Sequence, residues 1–211
     1  MARSATEHPL ESERVATIAI LANAFFVGGV LMGFEMLGSR YLFPYFGGGI
    51  GTWAGLISTV LAALTIGYFV GGSFVDRYPS PRVIAASSAL AAAYLALVPL
   101  SADAVMASIL DHLGDGPAGI LTAAAALLLV PLSFLGTFSP VAVRLLLRSM
   151  HQTGRIAGLV YGISTIGNIF GTLFTTFALI PTIGSRAITY LYAAVLACSA
   201  VSMLFVPRHP R

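Results

Sequence analysis

The chain has 211 residues, of which 57% are hydrophobic and only 9% charged, and its formal net charge is +3. Soluble domains carry roughly a quarter charged residues, so this composition, with a mean hydropathy of +0.90, excludes an ordinary water-soluble fold. The basic balance does not point to nucleic acid either, because the arginines flank apolar segments and form no basic domain.

A helix that crosses a bilayer needs about 20 predominantly apolar residues. Runs at 15–37, 52–75, 83–100, 118–138, 156–180 and 187–206 meet that requirement. They predict an all-α integral membrane protein, a six-transmembrane-helix bundle over 15–206. A mobile cytoplasmic tail is expected at 1–14 and a short cytoplasmic end at 207–211. The tail carries Glu7, Glu11 and Glu13 and lacks a small-residue cleavage site, which argues against a removable signal peptide. The chain has no lysine, so all 11 basic residues are arginine. With the N-terminus inside, Arg3, Arg14, Arg77, Arg82, Arg144, Arg148, Arg155, Arg208 and Arg211 fall on the inner side, and only Arg40 and Arg186 fall outside. That is the asymmetry of the positive-inside rule, with both termini cytoplasmic.

Glu35, near the outer end of the first span, is the only acid inside any span. A lone carboxylate in hydrocarbon is costly, so it is expected to be paired, protonated or facing water, and Arg40 and Arg186 are the available partners. Two readings stand: an ion pair closing the outer end of the bundle, or a proton or cation site. Tyr41, Phe43, Tyr45, Phe46 and Trp53 cluster around the first outer loop and read as an interfacial aromatic belt. The second span carries Gly55, Gly67, Gly71 and Gly72 for close helix packing.

An outer segment at 101–117 holds Asp103, Asp111, His112 and Asp115, and Pro131 is expected to kink the fourth span. Beyond Pro140 the residues Arg144, Arg148, His151 and Arg155 recur at helical spacing and predict one basic stripe, which serves lipid headgroups or an acidic soluble partner. In the fifth span, Gly154, Gly158, Gly162, Gly167 and Gly171 form a small-residue ladder expected to pack this helix within its own bundle or, as a second use, against another subunit. Asn168, in the same span, either bonds across helices or meets a polar ligand. Cys198 is the only cysteine, so no intramolecular disulfide and no cysteine metal site is possible.

The turn that contains Gly72, Asp76 and Arg77 resembles the signature between helices two and three of the major facilitator superfamily. The resemblance implies a cytoplasmic latch for one access state; a charged turn that simply caps helices is the competing account. The family's second glycine and basic pair are replaced here by Tyr78, Pro79, Ser80, Pro81 and Arg82. A longer string is similar to the membrane portion of the fused facilitator/spermidine synthase family. It runs through Glu35, Ser39, Arg40, Pro44, Phe46, Gly47, Trp53, then Leu64 to Tyr68, Gly71, Gly72, Asp76 and Arg77. It resumes at Ser139, Pro140, Arg144, Gly154, Arg155, Gly158, Tyr161, Ser164, Gly167 and Gly171, and closes on Leu179, Ile180, Pro181, Gly184, Ser185 and Arg186. The resemblance implies one half of a facilitator-type transporter, without the soluble synthase domain.

Two functions follow as expectations. One is a transporter-like module for polyamines or another organic cation. Facilitators join two six-helix halves, so transport would need a homo-oligomer or a second half. The other is a non-transporting anchor for a separate spermidine synthase-like protein or a larger membrane complex. The location implied is a bacterial inner membrane. No Ser/His/Asp grouping, His-rich pattern or paired acids occur within the spans, so no enzyme activity and no cofactor is expected.

Overall fold

A computed structural model describes residues 4–147 and 152–206, with side chains from Arg14 on. Six helices follow one another: α1 (Ser4–Phe46), α2 (Ile50–Arg77), α3 (Pro81–Leu113), α4 (Pro117–Leu146), α5 (Thr153–Thr182) and α6 (Ser185–Leu204). No strand occurs among the described residues. All six helices are long and apolar enough to cross a bilayer, so the chain is a multi-pass membrane protein.

Several helices outrun their apolar runs. The expected tail continues α1 back to Ser4. At its other end α1 passes Leu37 because Tyr41, Leu42 and Phe46 prolong the buried face. Gly47 stops it at φ +70°, donating its amide to the Phe43 carbonyl at 3.0 Å. Glycine reaches this positive φ without steric cost. The outer segment expected at 101–117 is mostly helix too. Ala102 and Met106 are buried and Leu110 packs on the core, one turn apart, so α3 runs on to Leu113. Only 114–116 link it to α4.

The helices pack in three pairs, α1 with α5, α3 with α6 and α2 with α4, while α1 touches every other helix. Lipid supplies little apolar driving force between helices, so close backbone approach matters. On α2, Gly67 lies against Ser133 and Gly136 of α4, and Gly71 against Thr137. Gly55 meets the Ile120 side chain, but Gly72 faces open space. The α5 ladder also divides. Gly167 and Gly171 press on the α1 backbone at Phe25 and Gly29, whereas Gly154, Gly158 and Gly162 have nothing within 4 Å. Steps of four hold within 154–162 and within 167–171, but the step of five between Gly162 and Gly167 sets the two groups on nearly opposite faces of α5, and only the second group faces α1. A polar clamp joins α1 to α6, where the Asn23 amide bonds the Ser199 and Ser202 hydroxyls.

The expected kink in α4 takes the form of a π-helical turn at Ala125–Leu129, two residues ahead of Pro131. The same device recurs in α5, where a π-helical turn at Thr175–Leu179 precedes Pro181. A proline lacks the N–H for the carbonyls four or five residues back, and its ring crowds the nearer one; widening the turn relieves that crowding. At Pro131 the orphan carbonyl five residues back belongs to Ala126, and the Tyr94 hydroxyl of α3 donates to it. Tyr94→Phe is therefore expected to lower unfolding stability in detergent by about 1 kcal/mol. An unchanged midpoint would mean that another donor serves Ala126.

The basic stripe is not one helical face. α4 ends at Leu146, and Leu147 is extended at φ −74°, ψ 118°. Arg144 lies on α4 and Arg155 on α5, so the two stand on different helices. Arg148 and His151 lie outside the described residues. The aromatic belt is likewise partial: Phe43 and Trp53 are exposed, but Tyr41 and Phe46 are buried. The Tyr41 hydroxyl bonds Thr189 of α6 at 2.9 Å.

Candidate functional site

Glu35 lies in the C-terminal half of α1 and is 7% exposed. The α1 face that bears it also carries Leu31 one turn inward and Gly28 two turns inward, a rise of about 10 Å. Neither expected partner reaches it. Arg186, in the first turn of α6, binds Asp103 of α3 at 2.5 Å. Arg40 is exposed and makes no ion pair among the described residues. The reason is geometric: Arg186 and Asp103 meet at an exposed end of the α3–α6 pair, whereas Glu35 is held within the bundle. Glu35 has no hydrogen bond to any described residue. Among the described residues no sealed polar side-chain atom lacks a partner, so the Glu35 carboxylate keeps a small opening.

A cavity of about 40 Å³ lies where α1, α2, α4 and α5 meet; Glu35 does not line it, but Leu31 and Gly28 on the same face of α1 do. Its lining includes Gly28 and Leu31 of α1, Tyr68 of α2, Ser139 of α4, and Ser164 and Asn168 of α5. Asn168 bonds across helices, the first of the two roles expected of it. Its amide nitrogen donates to the Gly28 carbonyl at 2.8 Å and to the Ser164 carbonyl at 3.3 Å, bridging α1 and α5, while the residue also faces the cavity. The hydroxyls of Tyr68, Ser139 and Ser164 make no hydrogen bond to a described residue, and Ser139 is only 8% exposed. A cavity needs about 10–15 Å³ to hold one water, so this one has room for about two or three, each with several polar neighbours. A buried acid near a wettable crevice can take up a proton or a cation and pass it toward the polar groups there.

Tyr68, Ser139 and Ser164 enter the sequence only as parts of a resemblance, with no role attached, because isolated hydroxyl residues are common in spanning helices. What joins them is the packing of four helices. Gly28 contributes through its size: a side chain there would strike the Ser164 carbonyl and the Asn168 amide.

The expected latch is arranged differently from its sequence order. Asp76, at the end of α2, faces Arg144 of α4 at 4.0 Å rather than its neighbour Arg77. Both side chains are substantially exposed, so the pair contributes at most about 1 kcal/mol. Arg144 is thereby drawn from the docking stripe to a contact between helix ends. Arg155, in the first turn of α5, is exposed and unpaired among the described residues. No group of three or more His, Cys, Asp or Glu suited to a metal occurs among the described residues. Compared with known proteins, the chain matches no family model, no curated protein and no solved structure.

Proposed function

We propose that the chain is a membrane transport module that works as an oligomer and binds the transported proton or organic cation at Glu35. One observation carries the reading: a buried carboxylate without a partner among the described residues lies on α1 one turn beyond Leu31, which lines a polar cavity between α1, α2, α4 and α5. Unpaired acids in hydrocarbon are rare and mark ion or proton pathways. The oligomer is supported by the outer surface of α5, where Ile166, Ile169, Leu173 and Phe177 are exposed beside the open glycines Gly158 and Gly162. A second six-helix unit on that surface would complete a facilitator-like pair of halves. The resemblance to the fused facilitator/spermidine synthase family favours a polyamine as the cation, and the arginine-rich end as the cytoplasmic side of a bacterial inner membrane.

The test is uptake of spermidine, with internal acidification followed in parallel, by proteoliposomes containing the purified chain. Glu35→Gln is expected to reduce the flux by about tenfold or more, the equivalent of one charge-assisted contact. No flux from the unsubstituted chain, or equal flux from the variant, overturns the proposal.

The alternative, an anchor for a soluble spermidine synthase-like protein, draws on Arg77, Arg82 and Arg155. All three are exposed at the arginine-rich end without an ion pair among the described residues. Reversing the charge at Arg155 would then release a partner that co-purifies from gently solubilised membranes.

A further inference from the structure

A groove of about 720 Å³ runs between α3 and α6. Its walls are almost wholly alanine, with Ala89, Ala93 and Ala96 on α3 and Ala194 and Ala197 on α6. One charged residue lines it, Arg82, at the arginine-rich end. On α3 the alanine lining begins at Ala85 and ends at Ala96. Those eleven steps measure about 16 Å, close to half of a hydrocarbon core about 30 Å thick. The groove therefore starts at headgroup depth on one side and stops near the midplane.

We propose that this groove holds one acyl chain of an anionic phospholipid, whose phosphate binds the Arg82 guanidinium. Three observations select that occupant. Arg82 is exposed and makes no ion pair among the described residues, so its charge is available. It stands in the first turn of α3, where the positive end of the helix dipole also favours an anion. The groove is one leaflet long and charged at one end only, which matches a lipid. A helix from a second copy is about 10 Å wide and would require contact across both leaflets. Walls on two helices give the chain dispersion contacts on both sides, which a flat helix surface cannot provide. The inference owes nothing to the transport reading, since Glu35 and the polar cavity take no part in it.

The experiment is native mass spectrometry of the purified chain offered equal amounts of palmitoyl-oleoyl phosphatidylglycerol and phosphatidylcholine. The unsubstituted chain is expected to retain phosphatidylglycerol preferentially. Arg82→Gln should lower that preference by about fivefold, the worth of one arginine near a charged lipid surface. Ala89→Phe, which fills the groove from an exposed wall position, should remove adducts of both lipids. Arg82 is a surface residue, so its arm stands even if the groove-filling variant folds poorly. Absence of a phosphatidylglycerol preference, or adducts in both variants equal to those of the unsubstituted chain, overturns the proposal. So does a dimer that Ala89→Phe abolishes while lipid adducts persist, because the groove would then belong to a second copy.

Discussion

Gly171→Leu is expected to cost about 3 kcal/mol or more of unfolding stability, while Gly158→Leu, four turns nearer the start of the same helix, should change it by no more than about 0.5 kcal/mol. The difference lies in what a Cβ would meet. At Gly171 it would lie 2.6 Å from the Cα and carbonyl carbon of Gly29, and at Gly167 it would lie 2.8 Å from the Phe25 carbonyl carbon. Those are backbone atoms of α1, so no side chain can swing aside. Restoring ordinary contact would move α1 and α5 apart by about 1 Å, and a gap of that size forfeits a quarter to a half of the dispersion energy along the contact. In lipid there is little else to draw the two helices together. At Gly158 nothing lies within 4 Å, and leucine is the better helix former. Thermal or denaturant unfolding in monodisperse detergent separates the cases. Equal midpoints for Gly171→Leu and the unsubstituted chain would mean that the α1–α5 contact does not hold the bundle together.

That contrast marks what a linear reading can see. The apolar runs locate every spanning helix, because length and hydropathy answer to bilayer thickness alone. Helix ends answer to neighbours instead. The α3 extension is amphipathic, with Asp103 and Asp111 lowering its mean hydropathy, and only the contacts of Ala102 and Met106 hold it helical. The step of five from Gly162 to Gly167 splits the glycines of α5 onto nearly opposite faces, but the spacing cannot say which group meets a partner, since that depends on where α1 lies. The stripe from Arg144 to Arg155 goes astray for a related reason, since helical spacing is blind to the end of one helix and the start of the next.

The candidate site was legible where a residue type is itself improbable. Glu35 and Asn168 stand out in apolar runs, and both lie where the helices converge. Partnership was not legible. Arg186 is bound by an acid 83 positions away on α3, a pairing set by α3 lying beside α6. Asp76 likewise finds Arg144 because α2 lies beside α4. The crevice near Glu35 needs one residue or more from each of four helices, and no local pattern records that coincidence.

Glu35→Gln carries a second expectation besides lost flux: the variant should be more stable than the parent. A carboxylate that is 7% exposed and has no partner among the described residues has given up most of its water without a compensating bond. Glutamine keeps the shape and removes the charge, so the desolvation cost of an unpaired ion, about 1–3 kcal/mol, is recovered. For a chain of this size that corresponds to a rise of a few degrees in the unfolding midpoint. Gain of stability together with loss of flux is the pattern of a group retained for function at the expense of the fold, whereas a carboxylate that stitched the bundle together would show both losses. Glu35→Gln that unfolds earlier than the parent would place a counter-ion on the carboxylate. Arg40→Gln then identifies it, lowering the midpoint by a similar amount only if Arg40 turns inward to meet Glu35.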